Sequence, residues 1–265
     1  ATDEDFSASA KKQRQQFALC ELVINSHSNS HGNSHNHDTK LVSEFELVDN
    51  GVEPAYLKKF EQKGLIAPVY QMPSLPKLAK LATTPLSLNL QQQQAVQKIP
   101  RACQQPYYEG FLLNGITGSG KTEVYLQVMQ TVLAQGKQVL ILVPEIGLTP
   151  QTRQRFAERF EAQVLMLHSG LNDTVRLDGW QQCRLGYAQI IIGTRSSVLY
   201  PFANLGLIIV DESHDQSYKQ QDSLRYHASD VALYRGFQLN CPVILGTATP
   251  SLESLYLVQQ GKLTE

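Results

Sequence analysis

Residues 115 to 122 read GITGSGKT, a G-x-x-x-x-G-K-[ST] spacing that follows the apolar run FLLN and precedes the amphipathic stretch EVYLQVMQTVLAQ. A glycine-rich turn between a strand and a helix can curl until its backbone N–H groups face inward, and the positive end of the helix dipole adds to the same cradle. The ligand this chemistry predicts is ATP, its phosphates wrapped by Gly115, Ile116, Thr117, Gly118, Ser119 and Gly120. Lys121 reaches the outer phosphates as a point charge, and the Thr122 hydroxyl is placed to ligate Mg2+. A turn that merely happened to hold a lysine would not need the full spacing together with its flanking strand and helix.

A second group with chemistry in it ends another apolar run, LGLIIV: Asp211, Glu212, Ser213 and His214. Two acids at the carboxyl end of a buried strand stand where α/β sheets place their ligands. Alone they would read as a solvated strand end. With a phosphate loop upstream they divide the work of in-line hydrolysis: Asp211 holds the Mg2+ through its water shell, and Glu212 orients or deprotonates the attacking water. His214, beside them, is expected to carry a link out of the nucleotide site.

The elements that must position these groups are legible from Leu88 onward. Short β-branched runs, FLLNGIT, VLILVP, VLMLH, IIIGT, LIIVDE and VILGTAT, alternate with helical patterns. Continuous apolar strands of this kind are covered by helices on both faces, so the pattern predicts a doubly wound parallel α/β sheet over residues 87–265. Upstream, helical stretches at 11–24, 41–51 and 53–66 followed by a short apolar run read as a small winged-helix domain over 1–85. Pro73, Pro76 and Pro85 mark a linker at 73–86. The run SHSNSHGNSHNHD at 26–38 has almost nothing to bury and reads as a flexible loop; its histidines are assigned no metal. Lys58, Lys59, Lys63, Lys77 and Lys80 oppose a single acid, Glu61, which suits contact with DNA or with a docking protein.

A formal net charge of -1 excludes a uniformly basic coat, so phosphate binding must be local. Four well-separated cysteines without a C-x-x-C pair point to neither zinc nor a disulfide framework and fit a reducing cytoplasm. No apolar run approaches a membrane span, and no membrane partner is expected. A start at Ala1 and an end in a helix-like pattern read as a piece cut from something longer.

In chain order GITGSGKT, PEIGLTPQ (144–151), GTRSS (193–197), DESH (211–214) and GTATPS (246–251) resemble motifs I, Ia, Ib, II and III of superfamily 2 helicases. More narrowly, GSGKTEVYLQ, VPEIGLTPQT, LHSGLND, DESHDQSYKQQ and ILGTATPSLESL resemble the primosomal protein N′ (PriA) family of bacterial replication-restart helicases. The resemblance runs from about Leu88 to the end of the chain. It implies a RecA-like first helicase lobe and an ATP-dependent 3′-to-5′ DNA helicase of replication restart and primosome assembly. Implied partners are forked and single-stranded DNA, primosome proteins and single-strand-binding protein. Zinc is implied only in a cysteine-rich insertion that this sequence does not contain.

Site roles follow from the same resemblance. Thr149, Gln151, Thr194, Arg195 and Ser196 grip single-stranded DNA. QSYKQQDSLRYH resembles an aromatic-rich loop in which Tyr218, Lys219, Arg225, Tyr226 and His227 meet bases and phosphates and report occupancy to Glu212. Gln92 aligns with the glutamine that reads adenine, with the run of glutamines at 91–94 leaving the register open by one. Thr247 and Thr249 couple phosphate state to lobe movement. The family commonly has DEEH where this chain has Ser213, a departure that touches neither the metal carboxylate nor the water-orienting acid. Such enzymes complete the ATP site with arginines from a second lobe, so this chain alone is expected to bind nucleotide weakly and hydrolyse it poorly. The rival readings are another superfamily 2 motor, such as an RNA helicase or restriction translocase, and a non-enzymatic DNA or primosome docking module.

Overall fold

The computed structural model describes residues 54–64, 66, 80–104, 107–162, 164–222 and 224–265. The chain divides into two units, residues 1–72 and 73–265. In the first, helix α1 (Pro54–Gln62) opens on a proline, buries Phe60 with Tyr56 beside it, and exposes Lys58 and Lys59. It stops at Gly64, whose φ of 66° suits a glycine. The other two expected helices, the 26–38 loop, most of the linker and the winged-helix arrangement lie outside the described residues.

The second unit runs β1 (Lys80–Leu81), α2 (Leu90–Gln104), β2 (Gly110–Asn114), α3 (Lys121–Leu133), β3 (Gln138–Leu142), α4 (Pro150–Arg159), β4 (Phe160–Glu161) and β5 (Val164–Leu167). It continues α5 (Asp173–Leu185), β6 (Ile190–Gly193), β7 (Leu205–Val210), β8 (Lys219–Gln220), β9 (Tyr226–His227), α6 (Ala228–Leu239), β10 (Val243–Thr247) and α7 (Leu252–Gln259). Six strands form one sheet in the order β2-β10-β7-β3-β6-β5, every neighbouring pair parallel. This is the doubly wound parallel α/β sheet that the alternating pattern predicts, in the RecA-like form that the resemblance implies.

Its two faces are packed separately. Val139 and Ile141 of β3 join Val128, Met129 and Val132 of α3 on one side. Leu140 and Leu142, pointing the other way, join Ala228 and Ala232 of α6. Strands β3, β7 and β10 are buried at every position, so both of their faces must be apolar and the runs read as unbroken. The order places β10 between β2, which feeds the phosphate loop, and β7, which ends in the acids.

The last part of the expected linker is fixed to this unit. β1 pairs antiparallel with β4, Arg159 Nη1 donates to the Thr84 carbonyl at 2.9 Å, and the Leu86 N–H donates to Glu123 Oε1 at 3.1 Å. Arg159 Nη2 and Glu123 Oε1 form an ion pair at 2.9 Å in which neither partner is more than 12% exposed.

Candidate active site

The phosphate loop begins where β2 stops. Gly115 N–H donates to the Thr247 carbonyl at 3.0 Å, which anchors the loop on the neighbouring strand β10. Gly120 lies at φ 83°, and a β-carbon there would sit 2.4 Å from Gln92 Nε2, so only glycine suits the position. α3 starts at Lys121, which is buried. Its Nζ donates to the Gly115 carbonyl at 2.7 Å and lies 3.6 Å from Glu212 Oε1. The loop is thus curled around its own lysine, and that lysine faces the second motif.

Gln92 reaches the same loop. Asn89 and Gln92 cap α2 reciprocally, each backbone N–H donating to the other's side chain at 2.9 Å, and Gln92 Nε2 donates to the Ser119 carbonyl at 2.7 Å. Within the glutamine run it is therefore Gln92 that touches the phosphate loop. A cavity of about 370 Å3 lined by Gln92, Asn114, Gly115, Ser119 and Lys121 lies alongside.

The acids emerge from β7. The Asp211 N–H still belongs to the sheet, donating to the Leu142 carbonyl at 2.9 Å. The Tyr125 hydroxyl donates to Asp211 Oδ1 at 3.0 Å, and the Tyr218 hydroxyl donates to the Asp211 carbonyl at 2.6 Å. Burial pushes the Asp211 carboxyl above the usual carboxylate range, opposed by the Tyr125 hydrogen bond and raised further by Glu212. Glu212 turns sharply away at φ 46°, a left-handed conformation uncommon outside glycine and here located at the acid expected to handle water. His214 Nδ1 lies 2.9 Å from Thr247 Oγ1 and 3.6 Å from Glu212 Oε2. Thr247 Oγ1 also accepts the Thr249 N–H at 3.1 Å, so motifs II and III meet at one hydroxyl.

Thr122, Tyr125, Asp211, Glu212 and His214 line a common cavity of about 470 Å3. A hydroxyl and a carboxylate on the same wall are hard oxygen donors of the kind a phosphate-bound divalent metal uses, with waters filling its remaining positions. Among the described residues no group of three or more His, Cys, Asp or Glu gathers as a metal cage. The Thr122 hydroxyl and the Asp211 carboxylate on the shared wall fit a divalent metal as oxygen donors.

The residues expected at the nucleic acid fall into two sets. Gln151, Ser196, Lys219 and Arg225 are exposed, as is Thr249, the residue expected to couple phosphate state to lobe movement. The others hold their own surroundings together. Thr149 caps α4, accepting the Thr152 N–H at 3.2 Å. Thr194 is buried, and Arg195 Nη1 donates to the carbonyls of Ser217 and Lys219 at 2.9 and 3.0 Å. His227 caps α6 by accepting the Ser229 N–H at 3.3 Å. Tyr226 is half-buried in the β8–β9 hairpin, paired with Gln220. Tyr218 corrects the base-stacking expectation: it is fully buried, and its ring offers no face to a base.

Two residues of this site escape sequence reasoning. Tyr125 looks like one more core position in an amphipathic helix, and Gly246 like a turn glycine. The periodicity that places Tyr125 one turn after Lys121 is the only signal available, and it does not say what the hydroxyl meets.

Comparison with known proteins gives concordant results. A DEAD/DEAH box helicase family model matches residues 89–258. Replication restart protein PriA of Haemophilus influenzae is 47% identical over 83% of this chain and 31% of its own length. PriA of Bacillus subtilis is 45% identical over 78% of this chain and 26% of its own. The chain thus spans less than a third of the length of these curated relatives. The solved structure of RecG bound to a three-way DNA junction superposes with a TM-score of 0.51 and 20% identity, covering 96% of this chain and 30% of that one. At that identity the likeness speaks for the fold.

Proposed function

Because the chain belongs to the DEAD/DEAH box helicase family, whose members use ATP and a divalent metal, we propose that it forms the ATP-binding lobe of a replication-restart DNA helicase like the PriA proteins it resembles. The observation that carries this reading is the meeting of motifs I and II: Lys121 Nζ stands between the Gly115 carbonyl and Glu212 Oε1, at 2.7 and 3.6 Å.

In the proposed reaction Lys121 leaves the Gly115 carbonyl for the β- and γ-phosphates, and the phosphate-loop amides take up the charge around them. Thr122 and Asp211 would hold Mg2+, which would neutralise part of the charge on the phosphates. Glu212 accepts a hydrogen bond from the attacking water and orients it or takes its proton as the water oxygen adds to the γ-phosphorus in line, while the bond from that phosphorus to the β-phosphate oxygen breaks and ADP leaves with the electron pair. Gln92 reads the adenine edge. His214 and Thr247 pass the state of the phosphate site from motif II to motif III through their 2.9 Å contact. Exposed Lys219 and Arg225 meet phosphates of forked or single-stranded DNA. Movement is 3′-to-5′, in the cytoplasm, with primosome proteins and single-strand-binding protein as partners. No helix among the described residues is long and apolar enough to cross a membrane.

The test is ATP hydrolysis by the complete motor on forked DNA, with and without Lys121→Ala. Loss of DNA-stimulated turnover in the variant is expected. Turnover stimulated only by RNA would move the protein to another branch of the superfamily, and an unaffected variant would end the motor reading.

A further inference from the structure

Asp211 has a side-chain partner, Tyr125, that lies outside the five superfamily 2 motifs. Tyr125 stands four residues after Lys121 on α3, so one face of the helix carries both the phosphate lysine and the phenol. The residue is 1% exposed, and its hydroxyl donates to Asp211 Oδ1 at 3.0 Å. Opposite stands Gly246 in β10. A β-carbon built there would lie 1.6 Å from the Tyr125 hydroxyl oxygen and 2.9 Å from the ring carbon bearing it. The phenol therefore occupies the volume that any side chain at 246 would fill. The strand cannot simply retreat, since the Gly246 carbonyl accepts the Ser213 N–H at 2.8 Å and β10 is paired on both sides. Positions on two separate elements are thus committed to bringing one O–H to one carboxylate.

We infer that Tyr125 is a positioning residue for the divalent metal: its hydroxyl fixes the Asp211 carboxylate in the orientation that receives the metal, and Gly246 is the gap that lets the hydroxyl arrive. The inference rests on Asp211 being the metal carboxylate. A carboxylate held on one oxygen does not have to be oriented again each time a metal–nucleotide pair enters.

The experiment uses this chain with Mn2+ as the metal, its binding followed by electron paramagnetic resonance in the presence of ADP, and ADP affinity measured separately in EDTA. Tyr125→Phe removes one oxygen atom and keeps the ring. It should leave ADP affinity in EDTA within about twofold of the parent while raising the half-saturating Mn2+ concentration about tenfold, the scale of a lost hydrogen bond to a charged group. Gly246→Ala should reproduce the metal defect, and the double variant should be less impaired than the product of the two single effects, because both remove the same bond. Asp211→Asn should weaken Mn2+ more than either. Unchanged Mn2+ binding in Tyr125→Phe beside a clear defect in Asp211→Asn overturns the inference alone. Unchanged binding in Asp211→Asn overturns the metal assignment and the inference with it. An equal loss of ADP affinity with and without metal in Tyr125→Phe would reduce Tyr125 to a packing residue and overturn the inference too.

Discussion

The nucleotide side and the strand side of this lobe use similar residue types to opposite ends. Around the phosphate loop, the side chains expected to do chemistry converge on one another: Lys121 faces Glu212, His214 faces Thr247, and Gln92 touches Ser119. Around the expected DNA surface, Thr149, Arg195 and His227 are turned inward onto their own backbone. The difference teaches that a motif residue can act at second hand. Side chains converge at the proposed nucleotide site, whereas on the other side they fix segments whose exposed members are Gln151, Ser196, Lys219 and Arg225.

The largest effect that would break this contrast is at the lysine. Lys121→Ala should lower the affinity of this chain for ATP about 100-fold, as expected when a charged group is removed from a desolvated ionic contact; calorimetric titration measures it, and a change below threefold would mean that the converging groups do not bind phosphate. Next comes Arg195→Ala, which should speed hydrogen exchange at the amides of residues 216–220 by about tenfold in the absence of DNA, because two carbonyls lose a charged donor. Unaltered exchange would return Arg195 to a direct grip on the strand. Thr149→Ala should cost about 1 kcal/mol of stability in denaturant unfolding through the lost helix cap. Thr149→Ser should cost little, and a loss of DNA affinity without loss of stability would contradict the inward assignment. The smallest effect sharpens the contrast from the other side. Lys219→Ala and Arg225→Ala should each weaken single-stranded DNA binding about threefold and reduce the slope of log affinity against log salt by about 0.7, the value of one phosphate contact.

Much of this was legible beforehand for physical reasons. Strands such as Leu205–Val210 are covered on both faces, so their sequence is one unbroken apolar run between turn residues. The phosphate loop is local, with every group it needs inside GITGSGKT. The burial of Tyr218 is not legible in the sequence because alternation of tyrosines with lysine and arginine looks the same whether the ring stacks on a base or anchors the loop beneath it. Its burial depends on Asp211, distant from it only by a tight turn, and on a sheet that local spacing does not describe. The pairing of β1 with β4 leaves no trace in the sequence because two residues on each strand carry no period at all.

The ion pair between Arg159 and Glu123 also has a mechanical side. Glu123 directly follows Thr122, and through it and Gln127 the chain at Thr84 and Leu86 is strapped to the first turns of α3. The segment at 84–86 and the helix that starts with Lys121 are therefore held as one piece, so displacing either strains the same ion pair.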